Sequence, residues 1–159
     1  MIASAPAHGP EAVACVQAYV DELDERFPEG FDVSLTTSAD AAELTPPHGD
    51  LLLVRDVDGN AVGVGCVKLL DGTPRDQPDG PTYVEIKRMW VAPSTRGHGV
   101  GTDLLERLED RARELGATRA VLDSRALLGA VPLYEHNGYA PCSPFNANPY
   151  PDWWGAKDL

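Results

Sequence analysis

A chain of 159 residues, 43% apolar and 24% charged, is sized and composed for one globular domain (1–159) that buries its core without disulfide staples. Thirteen basic against twenty-five acidic residues set a net charge of −12, a field that repels nucleic acid and anionic membranes and favours a cationic partner. No run reaches the roughly 18 to 20 apolar residues of a membrane helix, and Met1 to Pro6 lacks the basic start and apolar core of a secretory signal, so a cytoplasmic location is expected.

In chain order, a weak first strand is expected around Met1 to Pro6. Val13, Val16, Val20, Leu23 and Phe27 then recur at steps of three and four, the apolar stripe of a helix over Glu11 to Phe27 that Pro28-Glu29-Gly30 stops. Residues 31 to 49 are ambiguous, with a strand fragment near Val33 and a helical turn over Asp40 to Leu44. Asp50 to Val57 and Ala61 to Leu70 form two apolar runs around Asp58-Gly59-Asn60, a hairpin signal because Gly and Asn tolerate positive φ. Asp71 to Gly80 reads as a loop. Alternation over Tyr83 to Val91 puts Glu85, Lys87 and Met89 on one face and Val84, Ile86, Arg88 and Trp90 on the other; neither face is cleanly apolar, which predicts a bulge or a working strand. Val100, Leu104, Leu108, Ala112 and Leu115 mark a helix over Gly99 to Leu115, with Glu109 and Arg113 as a supporting pair. A strand over Arg119 to Asp123, a broken helical segment over Ala126 to His136 and a Pro-rich end with two strands complete a mixed α/β domain with one strand-helix-strand crossover.

Cys15, Cys66 and Cys142, and His8, His48, His98 and His136, have neither disulfide nor metal-ligand spacing, so no metal is expected. The cysteines read as small apolar fillers, with a nucleophilic Cys66 left open. The chemistry-bearing segment is Arg96-Gly97-His98-Gly99-Val100-Gly101, between a strand and a long helix. The first N–H groups of a helix lack internal partners and its dipole favours an anion there. Glycines let a phosphate approach the main chain, and an arginine adds a charge-assisted donor. The Walker Lys-Ser/Thr pair is missing, since Thr102-Asp103 follow Gly101, and neither the G-x-G-x-x-G spacing nor repeated strand-helix units are present. A nucleotide-binding protein is thereby disfavoured.

Read continuously, Glu85 to Leu105 (EIKRMWVAPSTRGHGVGTDLL) resembles the coenzyme A-binding core of the GNAT superfamily of N-acetyltransferases, with Arg96, Gly99 and Gly101 on the fixed positions of its Q/R-x-x-G-x-G/A pattern. Ala120 to Ser124 is similar to the family's next strand, and Leu133-Tyr134-Glu135-His136-Asn137-Gly138-Tyr139 to its L-Y-x-x-x-G-F/Y signature. The resemblance covers about residues 9 to 158. It implies the acyl-CoA N-acyltransferase fold, a mostly antiparallel central sheet splayed between two parallel strands and flanked by helices. It implies acetyl-CoA as donor, with its pyrophosphate on the main chain of Arg96, Gly97, His98, Gly99, Val100, Gly101 and Thr102. Pantetheine would pair near Met89 and Val91, with an N–H near Met89 or Trp90 polarising the thioester. An amine acceptor would attack directly in a ternary complex, with Glu85 at the position of a general base and Tyr134 at that of a general acid. Taken without the family, Glu85 reads equally as a surface or salt-bridged carboxylate, and the alternative for Tyr134 is a core aromatic with a satisfied hydroxyl. Pro132 is compatible with a helix starting near Val131, His98 is expected exposed, and Tyr150, Trp153 and Trp154 either border the acceptor pocket or pack on the sheet. Homodimers are frequent in such a family. A protein amine as acceptor and a non-catalytic acyl-CoA-binding module are the competing readings.

Overall fold

Asp56 accepts the N–H groups of Asp58 and Asn60 on one carboxylate oxygen, and Gly59 sits at φ +87°, so the expected hairpin closes where its turn residues dictate. Its arms are strands β2 (Gly49–Arg55) and β3 (Ala61–Leu69), paired antiparallel. The structure, a computed structural model, describes residues 1–37, 39–70 and 80–159, so the loop expected over 71–80 lies, but for Gly80, outside the described residues.

The remaining elements are β1 (Ile2–Ser4), helix α1 (Pro10–Arg26), β4 (Tyr83–Val91), helix α2 (Val100–Glu114), β5 (Arg119–Ser124), helix α3 (Val131–His136), β6 (Ala140–Pro141) and β7 (Trp153–Asp158). One sheet runs in the order β1-β2-β3-β4-β5-β7-β6. Every neighbouring pair is antiparallel except β4 and β5, the parallel strands joined by the α2 crossover. The mixed α/β class and the splayed sheet expected from the sequence are what the chain forms.

Alternation along β2 sends Leu51 and Leu53 to one face and Leu52 and Val54 to the other, so each face gains its own core. Helix α1 covers the first face with Ala12 and Cys15 against Leu51, Leu53, Val64 and Cys66. Helix α2 covers the second with Leu104, Leu105, Leu108 and Ala112 against Leu52, Val67, Val84 and Ile86. Each fully buried leucine there contributes roughly 1.5–3 kcal/mol. Gly65 lets α2 lie close, since a Cβ at that position would stand 2.6 Å from Leu108 Cδ1.

Three sequence expectations need correction. The buried stripe of α1 does not begin at Val13, which is 53% exposed; Ala12, Cys15, Leu23 and, beyond the helix, Phe27 turn inward, because small side chains let the helix sit close to the sheet. The segment near Val33 is a 3-10 turn (Val33–Leu35) rather than a strand fragment, fixed by Asp32 accepting the Ser34 N–H. Met89 does not share the face of Glu85 and Lys87 but packs with Val84 and Ile86 in the α2-side core, whereas Trp90 packs on the α1 side. The cause is a bulge: Val64 pairs with Trp90 and Cys66 with Lys87, leaving Gly65 opposite both Arg88 and Met89. One extra residue reverses every later side chain.

Candidate active site

The parallel ladder between β4 and β5 consists of Tyr83 with Arg119, Val84 with Ala120 and Glu85 with Val121; beyond it the strands part. A cleft of about 620 Å³ opens there, lined by the diverging strands, the C-terminal turn of α1 and the start of α2. Its mouth is the glycine loop. Gly97 and Gly99 adopt φ +79° and +80°, and a Cβ at either would meet no atom within 4 Å, so the main chain lies bare. The N–H groups of residues 97 to 102 have no acceptor among the described residues; the next, of Asp103, donates to Gly99 O at 3.0 Å. A row of unpaired amides on a helix N-terminus is a site built for an anion, and it fits the diphosphate of a coenzyme A thioester.

Of the residues singled out in the sequence, Met89, Trp90, Val91, Arg96, Gly97, Gly99, Gly101 and Thr102 line this cleft together with Glu85 and Tyr134. His98 is exposed and does not line it, and Val100 packs against the α2-side core. Arg96 is more constrained than a free phosphate donor. Its Nε donates to Val91 O at 2.8 Å and its Nη2 to Glu22 Oε2 at 2.6 Å. Glu22 also accepts Trp90 Nε1 at 2.8 Å, so one carboxylate ties α1, β4 and the loop, and its pKa falls, chiefly through the Arg96 hydrogen bond.

Glu85 is 3% exposed, with Oε2 at 3.5 Å from Lys87 Nζ. Burial raises its carboxyl pKa above the ordinary range; Lys87 opposes that rise and Asp123 adds to it. Lys87 donates to the carbonyl and hydroxyl of Thr37 at 3.1 and 2.8 Å, and burial lowers its own pKa. Since Glu85 pairs with Val121, Asp123 stands two residues further along the same face of β5. Its Oδ2 accepts the Asn146 side-chain amide at 2.7 Å.

Helix α3 starts at Val131 with Pro132 in its first turn, where a missing N–H costs nothing. That start places Tyr134 in the cleft wall, 7% exposed, its ring stacked at 6.1 Å on Trp153 of β7 and edge-on to Tyr139. Burial, with a contribution from Asp123, pushes the phenol up to about 12, so it carries its proton at neutral pH. Trp153 therefore packs behind Tyr134, Trp154 donates to Asn146, and Tyr150 reaches the cleft wall beside Phe27 and Phe31. Cys66 is fully buried and burial pushes its thiol up to about 12, which leaves it no nucleophilic role. Among the described residues no group of His, Cys, Asp and Glu is placed to hold a metal, and no helix is long and apolar enough to cross a membrane.

Sequence reasoning missed Tyr19, Glu22, Lys87, Arg88 and Asp123 as cleft residues. Tyr19 and Glu22 read as parts of an amphipathic helix, and only the α1 to β4 contact reveals their use. Asp123 carried one available signal, a charge at the end of the apolar run Ala120 to Leu122.

A sheet opened by a bulge and a short parallel ladder, with bare amides at the mouth of the gap, is the architecture of acyl-CoA-dependent N-acyltransferases. Residues 15–139 match the acetyltransferase (GNAT) family, and the chain belongs to it. It is 35% identical over 108 residues to an uncharacterized N-acetyltransferase of Schizosaccharomyces pombe, covering 67% of this chain and 61% of that protein. It is 33% identical over 127 residues to an IAA acetyltransferase of Azospirillum brasilense, covering 79% and 77%. Its fold matches a Klebsiella pneumoniae chain assigned as an acyl-CoA N-acyltransferase at TM-score 0.75 and 27% identity, over 100% and 97% of the two chains. An aminoglycoside 6′-N-acetyltransferase solved with coenzyme A shares the fold at TM-score 0.63 and 20% identity, over 99% and 96%.

Proposed function

We propose that this protein transfers an acetyl group from acetyl-CoA to the primary amine of a small molecule, by direct attack with both substrates bound. The observation that carries the reading is the parting of β4 and β5 after Glu85, with the unpaired amides of residues 97 to 102 at the mouth of the gap. Membership of the family and the coenzyme A complex of a fold neighbour support acetyl-CoA as donor. A cleft of about 620 Å³ has room for a pantetheine arm and a small acceptor, which supports a small molecule over a protein surface.

Acetyl-CoA supplies the acyl group: a C–N bond forms as the C–S bond breaks. The amides of the glycine loop, from Gly97 to Thr102, hold the diphosphate, while that of Arg96, expected from the sequence to join them, is spent on Pro93 O at 3.3 Å; the bulged stretch from Met89 to Val91 aligns the arm as an added strand. Glu85, as carboxylate, takes the proton of the acceptor ammonium, directly or through water, and releases it to solvent. Its raised pKa brings it nearer the amine it must deprotonate, which is how burial improves a base. Tyr134 offers its phenol to the departing sulfur; the second amine proton restores the phenol, so one proton ends on the thiol and one in solvent. No covalent acyl-enzyme is needed.

The test is calorimetric binding of acetyl-CoA, ATP and NAD, followed by thiol release with a panel of amines. Acetyl-CoA alone should bind, and thiol release should depend on an amine. Binding of acetyl-CoA without release from any amine would favour an acyl-CoA-binding module, and binding of ATP alone would end the reading.

A further inference from the structure

The chain holds thirteen Lys and Arg residues, of which Arg75 lies outside the described residues. Of the remaining basic side chains, all but one lie within 4.0 Å of a carboxylate. The exception is Arg88, which makes no ion pair or hydrogen bond among the described residues. A half-buried guanidinium pays for lost hydration and recovers that cost only when an anion or hydrogen-bond acceptor reaches it.

The backbone makes the same point independently. Arg88 has φ +53° and is the sole non-glycine residue at positive φ among the described residues. It occupies the left-handed position of the β4 bulge, where glycine is the low-strain choice. A large cation held there at a conformational cost marks a side chain with work to do.

Its placement says which substrate it serves. Arg88 lines the cleft, and its charge lowers the pKa values of Tyr19 and Cys66, both raised first by burial, and of Lys87, lowered first by burial; Cys66 lies in the α1-side core and Lys87 beside Glu85 on the same face. The diphosphate of the donor has its own unpaired amides at the α2 N-terminus. Along the same cleft, besides Glu22, which is held by Arg96 and Trp90, stand Glu85 and Asp123, suited to an ammonium. Among the described residues Arg88 is the one guanidinium without a partner, which suits a monoanion; the second charge of a phosphonate or phosphate would stand unmatched near the Asp123 carboxylate. A planar guanidinium matches a carboxylate in two parallel hydrogen bonds.

From this juxtaposition we propose that Arg88 anchors a carboxylate of the acceptor, making the acceptor an amino carboxylate whose amine points to Glu85 and Asp123. The inference rests on the acetyl-transfer reading and adds a substrate class to it.

The test uses matched pairs differing only in the carboxylate, such as phenylalanine with 2-phenylethylamine and tryptophan with tryptamine, plus the aminophosphonate analogue of each. Thiol release is measured for wild type, Arg88→Lys and Arg88→Gly. Glycine relieves the backbone at this φ, so that variant should fold with an undiminished melting midpoint. For wild type, kcat/KM should favour the amino carboxylate by about 10- to 100-fold, the effect of a charge-assisted pair. Arg88→Gly should close that gap through the acceptor KM while the acetyl-CoA KM stays fixed, and Arg88→Lys should close it in part. Equal or better use of the decarboxylated amines or of the aminophosphonates overturns the proposal. So does an Arg88→Gly variant that keeps the discrimination and raises the acetyl-CoA KM, which would assign the guanidinium to the donor. If no panel member is acetylated, melting shifts in the presence of coenzyme A decide: an amino carboxylate that stabilises wild type no more than its decarboxylated partner also overturns it. Failure of acetyl-CoA itself to bind removes the underlying reading instead.

Discussion

Replacing Lys87 by methionine keeps the length of the side chain and removes the one cation paired with Glu85 among the described residues. At the observed 3.5 Å, and an effective dielectric constant of 20, the attraction between the charges is about 5 kcal/mol. Burial lowers the Lys87 pKa and so withdraws part of that charge, which leaves the effect on Glu85 smaller than the full attraction. The direction is fixed: Lys87 holds the Glu85 pKa down against burial, and its loss sends the carboxyl pKa further up. A base must be ionised to act, so activity falls as pH drops through the Glu85 pKa. The acid limb of kcat/KM, measured from pH 5 to 9 with acetyl-CoA saturating, should therefore move to higher pH in Lys87→Met, lowering the rate at neutrality and restoring it in alkali. Unchanged acetyl-CoA KM and melting midpoint would confine the effect to the base. A limb that stays in place, or moves to lower pH, would refute Glu85 as the titrating group.

Tyr134→Phe removes a phenol that burial keeps protonated while leaving the ring stacked on Trp153; kcat should fall roughly 10²-fold or more with acetyl-CoA KM unchanged, and full activity would remove the residue from the mechanism. Gly99→Glu puts a side chain and a like charge into the bare loop at φ +80°; in steady-state assays the acetyl-CoA KM should rise by about 10-fold or more, and an unchanged KM would count against the loop as diphosphate site. Gly65→Ala drives a methyl to 2.6 Å from Leu108, so denaturant unfolding should show a loss of about 1–3 kcal/mol; wild-type stability would mean α2 is free to shift.

Where the signal was local, the sequence carried it. The glycine loop, the hairpin turn at Gly59 and Pro132 at the head of α3 each obey rules that act over a few residues. What escaped was set by partners far along the chain. Val13 belongs to a sound helical stripe, yet its burial depends on how closely α1 approaches β2 and β3, which small Ala12 and Cys15 decide. Alternation placed Met89 with Glu85 because it assumes an unbroken strand; the extra residue at Arg88 is a property of the β3 to β4 pairing. Asp123 and Glu85 sit 38 positions apart, and only the parallel register brings them to one face.

The same short parallel ladder has a mechanical meaning. Three rungs, Tyr83 to Glu85 against Arg119 to Val121, stitch a four-stranded half to a three-stranded half, and past them no backbone hydrogen bond joins β4 to β5 among the described residues. A pantetheine arm lying in the gap would act as a splint, bridging the torn edge with its own amides. Loading of the donor should then register as slower hydrogen exchange along both lips of the seam, before any acceptor arrives.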